Sequence, residues 1–250
     1  MRRSFVCLTC LSALIWGIAV MAQSTKAKKN PPAQKEGFWQ WALRFSGISA
    51  NPNTLKGAND EPASGQVWIA DLTSGTRRNI TRDGGYRSPV FYPDSLTVLA
   101  LKGDDVMRIS SSGQVEKLYS IPGISKLVGF SVNDSSELLV LKQDGQGNVV
   151  PGELSIQTAK VDLFPYDPNS GEDRQMLEHL QSWQREYGTW VVYVKREGVQ
   201  TLSGQLEIAN VFLKVEGRDP ENVSRCEMEN CGQPSLSADK THVLFIKAAL

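Results

Sequence analysis

The chain has 250 residues, 40% of them hydrophobic and 22% charged, which excludes a chain disordered throughout and leaves room for one large or two small domains. Basic and acidic residues number 27 each. Setting aside Arg2, Arg3, Lys26, Lys28, Lys29, Lys35 and Glu36 leaves 21 basic and 26 acidic residues from 37 onward, so the part expected to fold lacks the basic excess of a nucleic-acid binder.

Arg2 and Arg3 precede an apolar stretch from Phe5 to Ala22 that ends Val20-Met21-Ala22, the layout of a signal peptide (residues 1–22) cleaved before Gln23. If it stays attached, the same stretch is just long enough to anchor the chain in a membrane. Both readings export the protein, to the periplasm or the cell exterior, and cleavage leaves no membrane span. Residues 23–36, QSTKAKKNPPAQKE, are lysine- and proline-rich with almost nothing apolar and read as a disordered tether. The folded domain is then 37–250.

At its start, Trp39, Trp41, Leu43 and Phe45 alternate with Gln40, Ala42 and Arg44, the period of a strand with one buried face. A loop rich in Asn, Pro and Gly runs from Asn51 to Gly65. Val67 to Leu72 and Arg77 to Thr81 are two strands across the turn Thr73-Ser74-Gly75. One phrase then occurs three times, as RSPVFYPDSLTVLALKG (87–103), KLVGFSVNDSSELLVLKQDG (126–145) and GQPSLSADKTHVLFIKA (232–248). In each, an apolar segment meets a polar turn holding Asp94, Asp134 or Asp239, and an apolar run follows that ends in lysine. Further strand pairs follow the phrases, as in 105–109 with 115–119 and 153–158 with 161–166. Repetition at roughly 40 residues in an all-β pattern points to a β-propeller of four-stranded blades, about four to five in number.

The arrangement Val67-Trp68-Ile69-Ala70-Asp71-Leu72, Asn79-Ile80-Thr81, Ser88-Pro89 and Tyr92-Pro93-Asp94 resembles the WD-like, TolB-type propeller repeats of exported bacterial proteins. Asn222-Val223-Ser224, Gln233-Pro234 and Ser237-Ala238-Asp239 fit the same pattern, whereas the repeat at Phe130 to Asp134 lacks the proline. The resemblance spans most of 38–250. It implies a propeller and a role in displaying a binding surface.

One unit departs from the repeat. In NSGEDRQMLEHLQSWQREYG, Met176, Leu177, Leu180, Trp183 and Tyr187 share one helical stripe, Ser170 and Asp173 are spaced as a capping box, and Gly188 is a stop. An inserted amphipathic helix over about 171–187 is expected, laid on a neighbouring blade. The chain also ends just after a second strand, at His242 to Lys247. The amino-terminal strands can complete that last blade and close the ring; a partial propeller completed by a partner chain is the alternative.

Cys7 and Cys10 leave with a cleaved signal peptide, and Cys226 and Cys231 then form an even pair in an oxidising compartment, for which a disulfide is the simplest reading. Zinc is its rival, but two cysteines with only His242 near make a poor site. No metal or other cofactor is expected. The chain has no nucleophile elbow, zinc-protease motif, phosphate loop or dinucleotide fingerprint. Its two histidines offer little for acid–base work: His179 falls on the predicted polar face of the helix beside Glu178, and His242 opens a strand. Asp94, Asp134 and Asp239 are expected to cap their own turns.

Tyr86 and Arg87, in the loop that leads into an inner strand, are the candidate binding residues, being of the types enriched at interface anchors; packing between blades is the competing role. The sequence therefore favours an exported, non-enzymatic propeller that binds a protein or peptide partner. The alternatives are a hydrolase or lyase working on a propeller face, with His179, Glu178 and face-lining Asp residues as the only plausible acid and base, or an accessory subunit of a larger envelope complex.

Overall fold

The computed structural model describes residues 37–48, 62–94, 96–202 and 204–250. The expected signal peptide, the tether and most of the loop from Asn51 to Gly65 lie outside the described residues.

Four antiparallel sheets of four strands form the blades of a propeller. Blade 1 is β3 (Tyr86–Phe91), β4 (Val98–Lys102), β5 (Asp105–Ile109) and β6 (Val115–Ser120), and blade 2 is β7 (Ile124–Phe130), β8 (Glu137–Gln143), β9 (Val149–Ser155) and β10 (Val161–Leu163). Blade 3 is β11 (Arg185–Tyr187), β12 (Trp190–Thr201), β13 (Gly204–Val215) and β14 (Glu221–Asn222). Blade 4 joins both ends of the chain: β15 (Glu229–Leu236) and β16 (His242–Ala249) are completed by β1 (Gln66–Asp71) and β2 (Arg77–Asn79). β1 lies antiparallel to β16, in register from Gln66 opposite Lys247 to Asp71 opposite His242. The ring thus closes on the amino-terminal strands, and it has four blades.

The first strand of each blade lines the axis, where β3 touches β7 and β15, and β11 touches β15. β3, β7 and most of β15 are buried, whereas the outermost strands such as β6 are largely exposed. Apolar side chains fill the gaps between blades. Val67, Ile246 and Ala100 pack between blades 4 and 1, Leu101, Leu127 and Val140 between blades 1 and 2, and Val194, Val211 and Phe245 between blades 3 and 4.

The seam between blades 2 and 3 is built differently. Val128, Leu139 and Leu141 of blade 2 pack on two helices, α1 (Phe38–Ala42) and α2 (Gly171–Gln181), through Phe38, Trp41, Met176 and Leu180. The stretch after α1 then stitches the inner strands. Phe45 bridges Ser131 at the end of β7, and Gly47 bridges Glu186 of β11.

Two sequence expectations change here. Residues 38–42 form a helical turn rather than a strand, because Phe38, Trp41, Ala42 and Phe45 also satisfy a helical spacing, and that set is the one buried. Leu43, assigned to the strand's apolar face, is exposed. Helix α2 starts as expected, with the Ser170 hydroxyl accepting a hydrogen bond from the Asp173 N–H at 3.2 Å. It stops at Gln181 instead of near Tyr187, because Arg185 to Tyr187 are extended to make the innermost strand of blade 3.

Candidate functional site

Where the four inner strands end, a cavity of about 270 Å³ opens on the axis. Every blade contributes to it: Val90 and Phe91 end β3 and Tyr92 and Pro93 follow it, Gly129 and Phe130 end β7 and Ser131 and Val132 follow it, Tyr187 ends β11, and Ser235 and Leu236 end β15 with Ala238 just beyond. Ser46, from the stretch that stitches blades 2 and 3, completes the wall. The lining is mostly apolar, with Tyr92 and Phe130 packed ring to ring at 4.7 Å. Val132 and Leu96, in the turns that follow β7 and β3, are each 65% exposed. Apolar side chains left in water beside an apolar hollow are the usual mark of a surface that takes a partner.

Just inside this pocket the inner strands carry polar residues instead. Ser88 precedes Val90, Lys126 precedes Gly129, Gln184 and Arg185 precede Tyr187, and Gln233 precedes Ser235, and all five are buried. The bulges in β3 and β15 that place them put Ser88 and Gln233 in left-handed backbone, at φ 51° and 54°. The amide oxygen of Gln233 accepts the Ser88 N–H at 2.5 Å, and its nitrogen donates to the Pro62 carbonyl at 2.6 Å, tying blade 4 to blade 1 and to the chain ahead of β1.

On the opposite side of the ring, Lys126 Nζ donates to the carbonyls of Gln181 and Ser182 at 2.7 and 2.6 Å and lies 3.4 Å from the centroid of the Trp183 ring. Arg185 donates to the carbonyls of Ser182, Gln184 and Leu180. Two cations thus satisfy the C-terminus of α2, where unpaired carbonyls and the helix dipole favour positive charge. His179 is beside them. It is 6% exposed, not solvated as its helical position suggested, and burial together with Arg185 lowers its pKa to about 4.

Tyr86 and Arg87 lie side by side at the start of β3, at the other end of the axis from the apolar pocket. Tyr86 is 2% exposed, donates to Asp83 Oδ1 at 2.9 Å and lies under the Lys102 ammonium, which also pairs with Asp83. Arg87 is half-buried and donates to the Gly103 carbonyl at 2.6 Å and the Ile124 carbonyl at 2.7 Å, so it clasps blade 1 to blade 2. Burial raises the Tyr86 pKa and lowers that of Arg87.

The repeated aspartates cap their turns. Asp94 accepts from the N–H groups of Leu96 and Thr97, Asp134 from Ser136, and Asp239 from Thr241. Turn hydrogen bonds favour the ionised form, and all three carboxyls lie below the usual range. Cys226 and Cys231 are joined as a disulfide within the core between blades 3 and 4, and Asn210 holds Cys226 by its carbonyl and its N–H. Among the described residues no three His, Cys, Asp or Glu side chains converge as a metal site, and no helix is long and apolar enough to cross a membrane.

Sequence reasoning did not find the pocket. Its walls come from five stretches between Ser46 and Ala238, and no local pattern marks strand ends that meet only when the ring closes. The exposed Val132 beside Asn133 and Asp134 was the available signal.

No family model and no curated protein matches the chain. Among solved structures it is similar to the putative TolB of Agrobacterium tumefaciens, at 11% identity over 71% of this chain and 59% of that one, with a TM-score of 0.37. It is similar also to TolB of Acinetobacter baumannii (15% identity, 73% and 48% of the two chains, TM-score 0.36) and to the apo AtxE2 isopeptidase (12%, 60% and 31%, TM-score 0.29). The chain spans less than two thirds of each of these structures. The propeller is established by the chain's own four sheets.

Proposed function

We propose that this is an exported, non-enzymatic propeller that holds a segment of a protein partner at the axial pocket. The observation that supports the reading is the pocket itself: an apolar hollow assembled from all four blades, with Val132 exposed in its wall. Its size suits one or two apolar side chains rather than a large cofactor, since small-molecule sites begin at about 300 Å³. Tyr86 and Arg87 in this reading hold the far end of the ring together, because their polar atoms are engaged within the fold.

Export rests on the amino-terminal pattern alone. Mass spectrometry of the protein purified from its native envelope is expected to show a chain that begins at Gln23, and an intact Met1 would replace cleavage with anchoring. The binding site is tested with a photo-crosslinking amino acid in place of Val132 and, as control, of Leu163, an exposed residue on the outermost strand of blade 2. A discrete crosslinked partner at position 132 and none at 163 is expected. Equal capture at both positions, or none at 132, would remove the pocket as the binding site.

A further inference from the structure

The turns that form the pocket mouth have charge as well as shape. Asp94 is next to Pro93, Asp134 is two residues beyond Val132, and Asp239 is next to Ala238, so each of three pocket-lining turns brings an exposed carboxylate. Their turn hydrogen bonds favour the ionised form. Two basic residues lie nearby. Lys240 lies 5.7 Å from the centre of the Trp190 ring, and Arg44 is 3.5 Å from Glu153. The apolar walls favour an apolar side chain, and the buried polar floor at Ser88 and Gln233 sets how deep it can go. An apolar hole with an exposed carboxylate in each of three of its bordering turns is complementary to an apolar residue with positive charge on either side.

We infer that the pocket selects a cationic peptide segment of a partner protein, one that inserts a single aromatic or aliphatic side chain between the inner strands while flanking Lys or Arg residues meet Asp94, Asp134 and Asp239. This inference rests on the binding reading above and adds the chemistry of the partner. The carboxylates act on specificity and on encounter, as rim charges do, while the apolar contact supplies most of the hold.

Three labelled heptapeptides test it by fluorescence anisotropy with the chain from Gln23 to Leu250: Gly-Lys-Gly-Phe-Gly-Lys-Gly, the same peptide with Glu for Lys, and the Lys peptide with Ser for Phe. The Lys–Phe peptide is expected to bind at least tenfold more tightly than the Glu–Phe peptide, with a preference that shrinks as salt rises. Replacing the three aspartates together, Asp94→Asn, Asp134→Asn and Asp239→Asn, keeps an acceptor for each turn and is expected to bring the two Phe peptides to within about twofold of one another. Equal binding of the Lys–Phe and Glu–Phe peptides, with the Ser peptide weak, would overturn the charge selection and leave the apolar site standing. Binding of no peptide, or of the Ser peptide as well as the Phe peptides, would overturn both.

Discussion

At the scale of single residues, His179 is the side chain whose environment most changes its chemistry. Its pKa of about 4 lies below the value near 6.5 that it has in an unfolded chain, because burial and then Arg185 and Lys126 oppose its charge while Glu186 favours it. Between these values the unfolded state binds more protons than the folded one, so stability rises with pH across that window. The contribution is complete above pH 6.5 and is lost as pH falls toward 4. At 1.36 kcal/mol per pKa unit it amounts to at most about 3 kcal/mol. Urea denaturation at pH 7, 5.5 and 4.5 is expected to show this loss in the wild type and a flatter profile in His179→Met; parallel profiles would mean that the imidazole is free to protonate. Gly129 is constrained by space instead. A Cβ there would lie 2.2 Å from the carbonyl oxygen of Ser46, so Gly129→Ala must displace the stretch that stitches blades 2 and 3, at about 1–3 kcal/mol in the same assay. An unchanged denaturation midpoint would show that the stitch yields freely.

At the scale of elements, the seam between blades 2 and 3 substitutes helices for a second sheet face. Trp41 is its centre: it packs against Phe45 and Phe164, with ring centroids at 5.3 and 4.7 Å, and its indole N–H donates to Glu153 at 3.3 Å. Truncation by Trp41→Ala is expected to cost about 3–5 kcal/mol, the range for a buried aromatic. Loss of the α2 cap by Ser170→Ala is expected to cost about 1 kcal/mol. Denaturation midpoints that reversed this order would place the stability of the seam in α2 rather than α1. The two elements also show what a sequence reveals. The repeated strands were legible because each blade buries local apolar runs between polar turns, and α2 was legible from its cap and stripe. Residues 38–45 were misread because aromatics at every second position also match positions one helical turn apart, and only packing against Leu139, Met176 and Leu180 decides between them. The end of α2 was misplaced because Trp183 and Tyr187 continue its stripe, while blade 3 requires an innermost strand from the same residues. The pocket depends on strand ends from all four blades, so no stretch of sequence contains it.

At the scale of the whole molecule, the ring is held shut by pairing between strands at opposite ends of the folded chain. Ala70 faces Val243 and Trp68 faces Phe245 across that closure, and Val243, Leu244, Phe245 and Ile246 are fully buried. Each of the other blades takes its strands from one continuous stretch, with short turns, whereas this contact forms only after the intervening chain has been ordered. Loop-closure entropy makes such a contact slow to form, and its burial makes the finished ring cooperative. A chain ending at Thr241 removes β16, which separates β15 from β1 and β2 and exposes the apolar faces between blades 3 and 4 and between blades 4 and 1. The expected result is loss of the near-ultraviolet circular dichroism of the packed aromatics and of a single sharp peak in gel filtration. Adding a peptide of residues 242–250 in excess is expected to restore part of both, because the missing strand has a groove of fixed register waiting between β15 and β1. Retention of the full aromatic signal without the peptide would show that blades 1 to 3 stand without closure. The pocket, which needs all four inner strands, would then be the only feature that the closing strand is there to complete.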